Sequence, residues 1–336
     1  MAQENDLINL RINFKNAIVS NPLVNIDAII VQQGDSILLE EYFNGYLADS
    51  LHDTRSSFKS ITSLLAGIAI DQGIIQLEDR LGKFFPNIRN QNKRDISVRD
   101  LLEMRSGLNC EEFYGLGPEC EDAMWESDDW IAFCLDVEMI GKSGLNWSYN
   151  SIDPMLLGEV ISRASGLSVM EFAKQYLFDP LEISNYRWTV SPKGQGMTAG
   201  SFFMRPIDMM KIASLVRYNG LWEDQQVISS NWIHQSTACN IPIDYSFCRY
   251  SRMSNATYQS ARYGFYWYKE RLIHDKIDTE VLFASGNGGQ YMMIIPDYNL
   301  SVVFTGSNYG SWRGKQPFKI LLERILPNLQ IDEGIK

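Results

Sequence analysis

Apolar positions along this chain follow two rhythms. Near the start and in the last quarter they alternate or form short blocks; through the middle they return every three to four residues. Residues 28–33 (AIIVQQ) and 36–43 (SILLEEYF) read as two strands joined at Gly34-Asp35. Before them, residues 5–19 carry a weakly amphipathic helical pattern. The strongest helical signal covers 56–72: Ile61, Leu64, Leu65, Ile68 and Ala69 share one face, and Gly73 ends it. Further helices are predicted over 98–104, 154–164, 168–177, 206–217 and 318–325, and strands over 263–268, 281–284, 290–295 and 301–304. The stretch 109–142 is loop-rich and acidic, with Trp125 and Trp130 embedded in it.

Strands therefore cluster at both ends and helices in between. The simplest packing joins the ends into one antiparallel sheet flanked by the terminal helices, with the helical middle as a second lobe. This is an α+β architecture in a single domain, 1–336. Its sheet lobe is expected from about 1–55 and 260–336, and its helical lobe from about 56–259. No internal repeat or low-complexity linker interrupts it.

Composition narrows the function classes. The 336 residues are 45% hydrophobic and 21% charged, with a formal net charge of -11. That balance argues against nucleic acid as a partner, since phosphate contacts need clustered Lys and Arg. No apolar run approaches the ~18 residues that span a bilayer. Residues 1–10 show neither a basic n-region nor an apolar core, so no leader is expected in this chain. Five cysteines are too few and too odd for a disulfide framework. Cys110 and Cys120 flank the loop EEFYGLGPE; they pair in an oxidising compartment or remain buried thiols, and the sequence leaves both open. His52, His234 and His274 are scattered and no Cys/His cluster has zinc spacing, so neither metal nor organic cofactor is expected.

Three elements carry candidate chemistry. Ser56-Ser57-Phe58-Lys59 opens the predicted helix, and positions i and i+3 share a helix face, so the Lys59 amine falls near the Ser56 hydroxyl. A serine alcohol needs a neighbouring base, and a lysine serves when its surroundings lower its pKa. By itself an S-x-x-K run is common; an apolar helix with a lysine in its first turn is not. The second element is Trp147-Ser148-Tyr149-Asn150-Ser151, whose phenol can relay protons beside an ammonium. A tyrosine merely packed at a loop–helix junction is the plain alternative. The third is Ala284-Ser285-Gly286-Asn287-Gly288-Gly289, where small residues let a substrate lie along the backbone with N–H groups aimed at its carbonyl. A glycine-rich turn is the plain alternative there.

In this order the three elements resemble the serine β-lactamase and penicillin-binding-protein superfamily, especially its class C and esterase-like branch. Supporting stretches include GIIQLEDRLGKFFP, DLLEMRSGL, RPIDMMKIASLVRYNG and YGFYW. The resemblance implies a β-lactamase/transpeptidase-like fold. It also implies Ser56 as nucleophile, Lys59 as general base, Tyr149 as the tyrosine of the Y-x-N motif, and the backbone N–H groups of Ser56 and Asn287 as the oxyanion hole. Ser151, Ser285, Gly286, Gly288 and Trp147 are the expected substrate-binding positions, with Trp125 and Tyr291 as further pocket candidates.

Two departures shape the substrate expectation. The third Y-x-N residue is Ser151, not asparagine, and Ala284 stands where K-T-G has its lysine. In the family that lysine helps hold the carboxylate of a β-lactam or peptide. The expected partner is thus a small-molecule ester or amide, with a β-lactam disfavoured. A penicillin-binding protein, D-alanyl peptidase or β-lactamase is the alternative, and a non-catalytic binding module the more distant one. The resemblance leans towards an exported or periplasmic location. The sequence leaves the oligomeric state open.

Overall fold

Eight antiparallel strands drawn from both ends of the chain share one sheet. They are seen in a computed structural model that describes residues 12–13, 15–19, 23–112, 117–243 and 261–329. In chain order the strands of the molecule are β1 (Ile26–Gln33), β2 (Ser36–Tyr42), β3 (His52–Asp53), β4 (Tyr186–Trp188), β5 (Phe202–Met204), β6 (Leu221–Trp222), β7 (Gln225–Gln226), β8 (Ile241–Ile243), β9 (Ala261–Tyr263), β10 (Tyr268–His274), β11 (Ile277–Gly286), β12 (Gln290–Ile295) and β13 (Leu300–Gly306). The main sheet runs β2-β1-β13-β12-β11-β10-β9-β8, so β1 pairs directly with β13 and closes the chain's two ends on each other. β12 and β13 are buried along their whole length, because both sheet faces are covered. A small second sheet, β3-β5-β4, lies beside the predicted nucleophile.

The helix Pro206–Arg217 covers one face of the main sheet. Proline at its first position suits a helix start. Its last residue, Arg217, donates to Ser301 Oγ (3.0 Å), Asn299 Oδ1 (2.5 Å) and the Gly34 carbonyl (2.7 Å), pinning the helix to two strand turns at once. The chain's closing helix, Gln316–Ile320, continues into a wider turn, Leu321–Ile325, and buries Phe318 against Phe283 and Tyr291. The helix Val169–Ala173 widens in the same way over Lys174–Phe178.

Phe58–Asp71 is the central helix, and every residue from Phe58 to Ala69 is buried. A helix buried all round must satisfy its polar groups against other segments. Lys59 donates to the Ala199 carbonyl, Ser60 to the Tyr266 carbonyl and Thr62 to the Thr198 carbonyl (2.8, 2.6 and 2.7 Å). The neighbouring helix Ile152–Ser165 packs against it and ends at Gly166, whose left-handed φ of 75° is the usual helix stop.

Several predicted elements differ in detail. The strand expected over 263–268 is a hairpin: β9 ends at Tyr263, β10 begins at Tyr268, and Tyr266 at the turn has φ 64°. The aromatic residues of 263–268 gave the tract its strand-like composition, although their rings serve the turn as well as the strands. The stretch 109–142 contains two short helices, Cys120–Trp125 and Trp130–Asp136. Cys110 and Cys120 are joined in a disulfide, with Cα atoms 5.7 Å apart. Cys134 and Cys239 are buried free thiols. Residues 12–13 and 15–19 of the first predicted helix are helical; the remainder of it, and Cys248, lie outside the described residues.

Candidate active site

The turn that carries Ser56 is held on two sides. β3 pairs with β5, and Thr54 donates to the Phe202 carbonyl through both its N–H and its hydroxyl (2.8 and 2.7 Å). The next residue, Arg55, has a left-handed φ of 49°, a conformation that costs energy for a residue with a Cβ. Asp53 stabilises it there by accepting from the Arg55 N–H (2.9 Å) and pairing with its guanidinium (2.9 Å). Arg55–Ser57 then forms one tight turn that leads into the central helix. Ser56 is left partly exposed at the mouth of the helix.

Behind Ser56 sits Lys59, only 2% exposed. Its ammonium donates to Ser56 Oγ (3.2 Å), Ser151 Oγ (3.2 Å) and the Ala199 carbonyl (2.8 Å), which uses all three donors. The Tyr149 ring centroid is 5.0 Å from the same nitrogen, within cation–π range. Thus groups separated by 90 residues and more along the chain meet around one amine.

The third wall is the end of β11. Gly286 packs against the nucleophile turn, so that a Cβ there would stand 2.4 Å from the Thr54 carbonyl oxygen. Beyond it, Asn287 accepts from the Gly310 N–H (2.9 Å), and the Gly288 carbonyl accepts from the Asn308 N–H (3.0 Å), which fixes the turn. Ser56, Tyr149, Ser285, Gly286, Asn287 and Gly288 all line one cavity of about 420 Å³. Tyr291 lines it too, with its ring packed against Phe318.

Other expected site residues fall elsewhere. Ser151 is fully buried and reaches Lys59 from behind, so it supports the amine and does not face the cavity. Trp147 packs on Tyr149 and Tyr263, with ring centroids 6.3 and 5.3 Å away, and is not part of the cavity lining. Trp125 stacks edge-on with Trp130 and also lies off the wall.

Sequence reasoning missed four contributors. The Ala199 carbonyl is the shortest partner of Lys59. Next to it, a Cβ on Gly200 would stand 3.5 Å from the Ser56 nitrogen. The Ser151 hydroxyl oxygen lies within hydrogen-bond distance of both Glu112 and Glu121 (2.7 and 2.6 Å). The acidity of 109–142 was the one visible sign of the last two. With Glu119 and Asp122 they give the cavity a carboxylate wall. Burial pushes the Glu112 pKa up, and the negative charge of Glu121 adds to this, while Lys59 and the Ser151 hydrogen bonds oppose it. Among the described residues no group of three His, Cys, Asp or Glu has the arrangement of a metal site. No described helix is long and apolar enough to cross a membrane.

The family model described as Beta-lactamase matches residues 27–316. A 6-aminohexanoate-dimer hydrolase of Paenarthrobacter ureafaciens is 24% identical over 225 residues, covering 63% of this chain and 57% of that protein. A penicillin-binding protein of Bacillus subtilis (strain 168) is 28% identical over 177 residues, covering 47% of this chain and 37% of its own. The chain thus matches only about half, or less, of the length of these relatives. In three dimensions, a penicillin-binding-protein homologue from Caulobacter crescentus superposes with a TM-score of 0.70 at 14% identity, covering 95% of this chain and 98% of that one. At that identity the superposition speaks for the fold alone.

Proposed function

The chain belongs to the beta-lactamase family of serine hydrolases, and from that premise we propose that it cleaves a small ester or amide through an acyl-enzyme on Ser56. The observation that carries this reading is the 3.2 Å contact between Lys59 Nζ and Ser56 Oγ at the floor of an open cavity. In the attacking state Lys59 is the neutral amine. It takes the Ser56 proton as Oγ bonds to the substrate carbonyl carbon. The oxyanion that forms accepts hydrogen bonds from the backbone N–H groups of Ser56 and Asn287. The proton passes from Lys59, with Tyr149 beside it, to the leaving alcohol or amine. Water then attacks the acyl carbon, and Ser56 Oγ leaves with its proton restored.

Charge in the cavity narrows the substrate. Ala284 brings no cation to the β11 edge, and four carboxylates line the opposite wall. Arg55 and Lys315 line the same cavity, with Arg55 paired to Asp53, so the carboxylates outnumber the cations four to two and favour a neutral or ammonium-bearing acyl group over a carboxylate near the scissile bond. The relative named for the 6-aminohexanoate dimer supports a linear amide as one such substrate.

A panel of p-nitrophenyl esters, short linear amides and nitrocefin, assayed on wild type and Ser56→Ala, tests the reading. Ester or amide turnover that Ser56→Ala loses supports it. Nitrocefin turnover above that of every ester and amide overturns the substrate class, and turnover kept by Ser56→Ala overturns the mechanism.

A further inference from the structure

Ser151 Oγ touches three polar groups: Lys59 Nζ at 3.2 Å, Glu112 Oε2 at 2.7 Å and Glu121 Oε2 at 2.6 Å. A hydroxyl has one proton to give. The ammonium can only donate, so it occupies an acceptor site on Oγ. The single Ser151 proton then serves one carboxylate. The other carboxyl, at hydrogen-bond distance from the same oxygen, makes its bond only as a donor, in the acid form. Two ionised carboxylates this close to one buried oxygen would also repel each other.

Resting on the hydrolase reading above, we propose that Glu112 and Glu121 share one proton across Ser151 and accept a second from Lys59, which leaves the amine neutral to activate Ser56. The transfer balances. An N–H bond of Lys59 breaks as an O–H bond forms on Ser151; the original Ser151 O–H breaks as one forms on the remaining carboxylate. Before it, one ammonium faces one negative charge; after it, a neutral amine faces two carboxylic acids, so the cluster around buried Lys59 and Ser151 is neutral throughout. That avoids the cost of isolating a charge away from water.

Independent features of the fold support the pairing. Glu112 lies two residues after Cys110 and Glu121 directly follows Cys120, so the disulfide joins the two segments that carry them. The Glu112 N–H donates to the Tyr149 carbonyl (3.0 Å), and the Ser151 N–H donates to Glu112 Oε1 (2.9 Å), which ties the pair to the Tyr149 strand of residues. The charged surroundings favour a shared proton. Glu119 and Asp122 stand on the same wall, and Asp53 near Glu121 is itself raised by burial. Asp153 lies behind them in the core; Lys59 and Arg55, the latter paired to Asp53, oppose them, and Lys315 lines the same cavity. Glu112 and Glu121 act through Lys59 and are positioning residues; they are not assigned contact with the reacting carbonyl.

The test compares wild type with Glu112→Gln, Glu121→Gln, the double variant and Ser151→Ala, on an ester that the wild type turns over. In wild type, kcat/KM declines on the acid side as the second carboxyl takes its proton. Each single Gln variant still has one carboxylate to take the Lys59 proton, so it keeps an acid-side decline and a kcat within about tenfold of wild type. The double variant and Ser151→Ala lose kcat by about 10²-fold or more, with KM nearly unchanged. Infrared spectra give a readout that does not depend on turnover: the carbonyl stretch of a protonated carboxylic acid is lost from wild type in Glu112→Gln or Glu121→Gln, against the constant contribution of Asp153. Wild-type kcat and acid limb in the double variant, or an infrared band unchanged in both single variants, overturn the proposal. Loss of wild-type activity in Ser56→Ala is unaffected by either result, so the hydrolase reading stands or fails separately.

Discussion

Gly286 and the Thr54 carbonyl meet so closely that a methyl on Gly286 would sit 2.4 Å from that oxygen. The contact presses the end of β11 onto the turn that presents Ser56, and it sets the gap between the nucleophile and the Asn287 edge. Gly286→Ala forces the strand off the turn. We predict a loss of about 1–3 kcal/mol in chemical denaturation and a fall in kcat greater than the change in KM. A variant with wild-type stability and kcat contradicts the role given to this contact.

Lys59 stands behind Ser56 and is not part of the cavity lining. Its removal should therefore slow chemistry without weakening substrate binding. Lys59→Met is expected to lower kcat by about 10²–10⁴-fold with little change in KM. A variant that raises KM and spares kcat would mean that the amine binds substrate instead of activating Ser56.

The Cys110–Cys120 disulfide closes a short loop, ten residues in separation. Loops of this length are stabilised by about 2–4 kcal/mol when cross-linked. Cys110→Ser/Cys120→Ser should lower the denaturation midpoint accordingly and reduce kcat, because both site glutamates are attached to this bridge. Equal stability with and without reductant in the wild type would contradict it.

Asp153 gives a pH signature. It is wholly buried; Ser106 and Asn150 lie beside it and lower its pKa, but burial outweighs them and pushes it from 3.8 up to about 7. Between about pH 4 and pH 7 the folded chain therefore holds a proton there that the unfolded chain has released. Folding stability from this group falls as pH rises through that window, and the whole penalty is present above pH 7. Buried His52, pushed down to about 4, works in the opposite direction as pH rises, so the difference between variants is the useful quantity. Asp153→Asn should match wild type near pH 4 and exceed it by a few kcal/mol, on the order of the shift itself, at pH 8. A difference that is flat with pH contradicts the assignment.

Much of this was legible in the sequence, and the remainder was hidden for definite reasons. The 3.6-residue rhythm from Ile61 to Ala69 and the lysine in the first turn identified the central helix and its chemistry, because a buried helix has few reasons to carry an ammonium. The block 290–295 matched β12 residue for residue, since a strand covered on both faces is apolar over most of its length. The partners of Lys59 could not be read in this way. Ala199 contributes only a carbonyl, which no side-chain pattern reveals. Ser151 looked like a short substitute for asparagine on a substrate wall; the structure has it in the core, beside Glu112 and Glu121. Trp147 suggested a pocket as a large aromatic, but its ring packs on Tyr149 and Tyr263.

The central claim is that Ser56 Oγ forms the covalent bond with substrate. Mass spectrometry of the protein after reaction with a fluorophosphonate, and after rapid quenching with a slowly released ester, tests it most directly. The account predicts one added acyl or phosphonyl group per chain, mapped to the peptide containing Ser56 and absent from Ser56→Ala and greatly slowed in Lys59→Met. An adduct mapped to another residue, or ester turnover by a wild-type protein that never carries an adduct, would contradict it.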